Sequence, residues 1–315
     1  MRTYIMEGIV TALSSVSHNG GEQNGITTQL RREKFVQPNG DVEDVPVISG
    51  NSIRGTLRDI GMFYMLQKLG YGVNTETGEV EGLTLPAFYF LFSGGALVSS
   101  GESQLNIDYF RKMKETIPLI GLFGGAIGNS IMPGKIKIGK MIPICDETLH
   151  LMPEKFKPES AKSIWDYCQL EMYTRKDDEK NENLRKMIDE NTKKLLEQPG
   201  TKISITKAGP QQMLYYIETL SAGTRFYWKI VLEDVSDIEF EAFLTTIIQF
   251  SKFPRIGGKS GVGFGEIAIK MDKWIEIDSR AHLEGKEVDF SIGQKYENHL
   301  KEKGNEIKKF LADIK

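Results

Sequence analysis

The plainest chemical potential in this chain lies in Arg255-Ile256-Gly257-Gly258-Lys259-Ser260-Gly261-Val262-Gly263-Phe264-Gly265. Five glycines between positions 257 and 265 let an anion approach backbone N–H groups closely, and Arg255 and Lys259 bring positive charge to the same place. Such a turn holds phosphate, although taken alone it also fits a Gly-rich connection with no ligand. A Walker loop needs a glycine five residues before Gly258 and a helix after the Lys-Ser pair. Phe253 stands at that position, Pro254 follows, and strand-forming residues come next. A dinucleotide fingerprint follows a strand and opens a helix, the reverse of the order here. A second anion site is written in Val47-Ile48-Ser49-Gly50-Asn51-Ser52-Ile53-Arg54-Gly55-Thr56-Leu57-Arg58. Ser49, Asn51 and Ser52 sit at a helix start, where free N–H groups favour anions, and Arg54 and Arg58 follow one turn apart on one face. An ordinary N-cap followed by two solvated arginines fits the same residues.

Several elements must position these motifs. Tyr4 to Thr11 alternates as a strand. It runs into the polar stretch Ser14 to Gly25, which reads as a loop too long for a tight hairpin. Ile53, Leu57, Ile60 and Tyr64 recur at helical spacing, giving a helix over Ser52 to Leu69 that closes near Gly70. Pro86 to Phe92 is a dense apolar run and reads as core; Asn106 to Thr116 reads as helix. Pro118 to Asn129 is a third Gly-rich segment, where backbone must approach a ligand, a neighbouring copy or the chain itself.

Lys135 to Ile138, Lys202 to Thr206 and Phe226 to Leu232 read as strands. Ser236 with Glu239 forms a capping box ahead of the stripe Phe240, Phe243, Leu244, Ile247. Glu266 to Met271 closes the series as a strand, and Tyr296 to Ile314 outlines an amphipathic C-terminal helix. Strand, helix, two strands, helix, strand is the split βαβ order, so an α+β, RRM/ferredoxin-like (βαββαβ) palm is expected. The palm takes residues 1–52, 117–152 and 201–275, with a helical insertion over 53–116. The polar, charge-dense stretch 153–200, where Leu184, Met187, Ile188, Leu195 and Leu196 give a thin apolar stripe, reads as a protruding insertion. Residues 276–315 form a C-terminal extension with a helix. No RNP-type aromatic signature marks the sheet, so a ligand strand is expected on the loops and first helix.

The chain has 315 residues and 40% hydrophobic content, enough for a real core. With 40 basic and 43 acidic residues the net charge is −3, so any nucleic-acid contact must come from local patches. Cys145 and Cys168 are the only cysteines and no His stands at ligand spacing, which supports neither a disulfide framework nor a zinc site. Met1 to Glu7 lacks the apolar core of a signal peptide, and no run approaches the roughly twenty apolar residues that span a bilayer, so a cytoplasmic chain with no membrane partner is expected.

Together the Ile48 to Arg58 run and the late Gly-rich turn resemble the paired signatures of the RAMP superfamily of CRISPR-associated proteins. More narrowly they resemble the backbone subunit that polymerises along the guide RNA, and Val47 to Asp59 with His18 to Arg32 is most similar to the type IV form. The resemblance implies a crRNA partner, further copies of the chain, other CRISPR effector subunits, and a DNA or RNA target met through guide pairing. It places the region after the first strand along the guide, where His18 and Asn19 hydrogen-bond RNA and Arg31 and Arg32 neutralise phosphate. Ser49, Asn51, Ser52, Arg54, Arg58, Arg255, Gly257, Gly258, Lys259 and Ser260 complete the RNA-binding set. It also makes the 153–200 insertion a thumb that reaches the adjacent copy.

Catalysis is not expected. His18, His150, His282 and His299 are scattered, and no metal-protease, zinc or paired-Asp spacing appears, so no catalytic residue, metal or cofactor is assigned. Type III relatives cleave target RNA with an aspartate after the first strand, whereas His18 to Lys34 offers Glu22 and Glu33 and no aspartate. The alternative is a metal-dependent ribonuclease of the same fold using Glu22, Glu33, Asp41 or Asp44. A phosphate-metabolite enzyme built on the Gly-rich turn is the third reading.

Overall fold

The computed structural model describes residues 2–73, 80–96, 107–127, 130–175, 213–272, 274–277, 285–288 and 293–314. Strand β1 (Arg2–Ala12) alternates strictly: Tyr4, Met6, Val10 and Ala12 point into the core, and the odd-numbered residues face outward. The segment after it differs from the expected long loop. Here β2 (Asn19–Asn24) and β3 (Thr27–Leu30) pair antiparallel, and Gly25 takes the turn with a φ of 62°. A second hairpin, β4 (Arg32–Val36) with β5 (Val42–Pro46), leads into helix α1 (Gly50–Lys68).

Helix α1 forms because Ser49 accepts a hydrogen bond from the Ser52 N–H and Ile53, Leu57, Met62 and Met65 make a buried stripe. Helix α2 (Leu85–Ser93), α3 (Ile107–Thr116) and α4 (Pro118–Phe123) follow. The Pro86 to Phe92 run is a helix with only one face in the core: Phe90 and Leu91 are buried, while Phe88 and Tyr89 are exposed. Strand β6 (Ile136–Ile138) precedes a stretch of short 3-10 turns, then β7 (Cys168–Arg175) pairs with β8 (Met213–Leu220). Strand β9 (Arg225–Val235), helix α5 (Asp237–Lys252), β10 (Ile267–Met271), β11 (Trp274–Ile277) and helix α6 (Lys295–Asp313) complete the chain.

The main sheet runs β6-β9-β1, with β10 and β11 both pairing along the far side of β1, and every one of these pairings is antiparallel. With α1 between β1 and β6, and α5 between β9 and β10, this is the RRM/ferredoxin-like fold. Because α1 is the palm's own first helix, the helical insertion expected over 53–116 reduces to the elements after it. Both helices cover one face of the sheet: Tyr4 meets Phe240 with ring centroids 4.1 Å apart, and Phe240 and Phe243 meet Trp274 edge-on. The capping box at the start of α5 is formed in both directions.

A four-stranded satellite sheet, β7-β8-β3-β2, flanks the palm. Of the expected thumb, 153–167 lies in the turns before β7, 168–175 is β7 itself, and 176–200 lies outside the described residues, as does the expected strand Lys202 to Thr206.

Candidate nucleic-acid interface

The two motifs meet through residues 14–18. The Gly265 N–H donates to Ser15 O (2.9 Å), and the Gly258 N–H donates to Ser17 O (2.6 Å). Gly257 sits at φ 75°, and a Cβ there would lie 2.2 Å from Ser17 O, so only glycine permits this approach. One residue on, His18 Nε2 accepts the Ser49 N–H (3.1 Å) and His18 O accepts the Arg31 N–H (2.7 Å). An acceptor Nε2 requires the proton on Nδ1. Burial, and then the charge of Arg31, push the His18 pKa down, which keeps the ring neutral. The Gly-rich turn and the N-terminus of α1 are therefore two hydrogen bonds apart, joined by Ser17 and His18. Gly50 tightens the same corner, since a Cβ on it would lie 2.3 Å from Ile138 O.

On this corner Asn51, Gly257, Gly258, Lys259 and Ser260 are exposed, and the Ser52 N–H is engaged by the Ser49 cap. Arg31 has a side chain 49% exposed and a loose contact to Glu33 at 3.9 Å. Lys259 makes no ion pair among the described residues; its Nζ lies 5.4 Å from the centroid of the Tyr215 ring. Asn19 Oδ1 accepts from the Ser17 hydroxyl at 3.0 Å.

The remaining expected contacts are otherwise engaged, each for a physical reason. Ser49 is buried as the helix cap. Arg32 pairs with Glu218 and lies over the Trp165 ring, 5.3 Å from its centroid. Arg255 staples the base of the turn by donating to Phe264 O (3.1 Å) and approaching Glu266 at 3.8 Å. Arg54 donates to Phe123 O and Arg58 to Gly124 O, so both brace the bend after α4. Arg58 is only 8% exposed, and burial together with the nearby Arg54 charge pushes its pKa down to about 10. In this position it lies inside the fold.

The sheet face that RRM proteins use for stacking is taken. The Tyr227 hydroxyl donates to Glu7 (2.7 Å), Lys229 and Lys155 approach Glu7 at 3.2 and 3.5 Å, and Phe156 covers the Tyr227 ring. Burial pushes the Glu7 carboxyl up, but the bonds from Tyr227 and Lys229 and the lysine charges outweigh it and hold it below the usual range. The Glu7 charge is matched by these lysines and the Tyr227 ring is covered by Phe156, so this face is occupied by the protein's own contacts.

Sequence reasoning missed Tyr173 and Tyr215. They stand opposite each other on β7 and β8, with rings stacked at 5.6 Å, and Phe264 from under the Gly-rich turn meets Tyr173 edge-on at 5.9 Å. Only the alternation of the two strands could have pointed to them, and their partners are set by a register no local pattern fixes. The carboxylates of the nuclease alternative are dispersed. Glu33 pairs with Lys140, Asp41 accepts from Asn39 at a hairpin tip, Asp44 faces Lys34, and the Glu22 side chain lies outside the described residues. Among the described residues no three His, Cys, Asp or Glu side chains are grouped to hold a metal ion. No described helix is long and apolar enough to cross a membrane.

The profile of the RAMP superfamily matches residues 10–268, from the end of β1 to the start of β10. No curated protein sequence matches the chain. Among solved structures, the fold is similar to a chain of one described as a Type IV-B CRISPR complex, with a TM-score of 0.54 and 23% identity over 93% of this chain and 96% of that one. The βαββαβ palm, the late Gly-rich turn joined to the start of α1, and the extent of the profile match together carry one conclusion: the chain belongs to the RAMP superfamily.

Proposed function

We propose that the chain is a non-catalytic RNA-binding backbone subunit of a CRISPR effector complex, several copies of which line up along a crRNA and present it for pairing with target DNA or RNA. The observation that supports this most is the Ser17–His18 link, which sets the Gly-rich turn and the α1 N-terminus side by side. Asn51, Lys259 and Arg31 are exposed on or next to that corner and read phosphate and sugar without reading sequence. The net charge of −3 does not oppose it, because the acids in contact with this corner are few and the Glu7 network faces elsewhere. In this reading 1–52, 117–152 and 201–275, with α1, form the palm; 153–200 supplies the thumb toward the next copy, and 276–315 docks on the body.

The test is binding of a single-stranded RNA across a salt series. Each phosphate contact contributes about −0.7 to the slope of log K against log salt. Lys259→Ala and Arg31→Ala should each flatten the slope by about that amount and weaken all sequences alike. Unchanged affinity and slope in both variants would defeat the reading. Co-expression with a guide followed by electron microscopy should show an RNA-containing filament, and particles free of RNA would count against it.

A further inference from the structure

The geometry points to a seat for one unstacked nucleobase on the Tyr215 ring, at the junction of the satellite sheet and the Gly-rich turn. This inference rests on the RNA-binding reading above and adds a base contact to a site otherwise made of phosphate contacts. Tyr215 and Tyr173 are directly opposed in the β7–β8 register, with an interplanar angle of 19° and centroids 5.6 Å apart. Phe264 supports Tyr173 from the edge, and the Tyr173 hydroxyl is anchored on Glu171 Oε2 at 3.1 Å. Glu171 also accepts from Gln169 and Thr219, so its charge is spent within the fold and does not face an incoming strand unpaired. The rings are thus held in place before any ligand arrives, and both are only partly buried.

Lys259 provides the exchange. Among the described residues its ammonium has an aromatic ring as its only partner, and an exposed cation over a ring is held more weakly than a base stacked on one. A nucleobase that takes the Tyr215 face releases Lys259 to the phosphate attached to that same nucleotide. Stacking tolerates every base because each has a π-face, so this contact adds affinity without sequence preference. The geometry favours a flat unpaired base over a sugar or a protein side chain, since it offers a pre-set ring with an exposed cation alongside it.

The experiment compares two probes on the full chain at one salt concentration: a fluorescent uridine 12-mer, and the same oligomer with abasic residues throughout. Tyr215→Leu should lose roughly 5- to 100-fold on the uridine probe and nothing on the abasic one. Tyr215→Phe should bind within about 2-fold of the unaltered chain, since stacking needs the ring and not the hydroxyl. Equal losses on both probes would make Tyr215 a structural residue and overturn the seat, as would no loss on either. Failure of the unaltered chain to bind either probe would instead sink the RNA-binding reading itself. Tyr173→Leu should reproduce a weaker version of the Tyr215→Leu pattern, and circular dichroism of each variant confirms that it is folded.

Discussion

Arg58 separates a phosphate ligand from a structural brace, and its two energetic sides can be weighed. At neutral pH the guanidinium is charged, and its fall from an ordinary 12.5 to about 10 means that burial and the nearby Arg54 charge together cost the charged form about 2–3 kcal/mol once some solvent screening is allowed for. Against this stands one charge-assisted hydrogen bond to the Gly124 carbonyl, which contributes about 1.5–3 kcal/mol. The two nearly cancel. Replacing the group by an apolar side chain of similar length, Arg58→Met, keeps much of the packing but leaves the buried Gly124 carbonyl without its donor, so it should cost about 1–3 kcal/mol. Arg58→Ala also strips the stem from a buried site beside Gly94 and should cost about 2–4 kcal/mol. Urea unfolding of both variants reads these values from the midpoint at constant m. The salt slope of RNA binding by Arg58→Met should match the unaltered chain. A slope flatter by about 0.7 would mean that Arg58 meets a phosphate after all, and that the buried position does not persist in the complex.

His18 predicts a pH dependence. Its folded pKa is depressed, so its contribution is fully present above the unfolded value near 6.5 and declines as pH falls through 6.5 toward the lower folded value. Protonating Nε2 removes the acceptor for the Ser49 N–H and sets a cation at a helix N-terminus, worth about 1 kcal/mol; the decline should vanish in His18→Ala when unfolding is followed across that range. Gly257→Ala should cost about 1–3 kcal/mol, because φ 75° disfavours a side chain and Ser17 O occupies its place, and it should weaken RNA binding in the same titration. Ser236→Ala removes half of a capping box and should lower stability by about 1 kcal/mol while leaving RNA affinity untouched, as measured by paired unfolding and binding curves.

The parts of the fold legible in sequence were those fixed by short-range physics. The alternation of β1, the Ser49 cap with its Ile53 and Leu57 stripe, and the Ser236–Glu239 box each stabilise their element locally, and each is present. What stayed hidden depends on chain returning from far away. Arg54 and Arg58 read as a surface pair because nothing near them shows that Phe123 and Gly124 come back to accept their protons. Phe88 and Tyr89 read as core because helical periodicity in a run that is apolar all round cannot say which side faces solvent. His18 reads as a ligand contact because nothing near it shows that the N–H of the cap residue Ser49, 31 residues on, donates to its ring. The Ser14 to Gly25 stretch reads as a long loop for the same reason: hydrogen bonds of its residues go to positions 220, 258 and 265.

The central strand of the palm leaves the ribosome long before its neighbours exist. Ile9 pairs with Tyr227 on one side and Lys270 on the other. At about 5–20 residues per second, an apolar ribbon waits roughly 10–40 s before either flank can close. During that interval it is an open edge able to pair with any extended chain nearby. Early chaperone capture, or the spacing of nascent chains on one message, therefore bears on the yield of this protein separately from the stability of the finished fold.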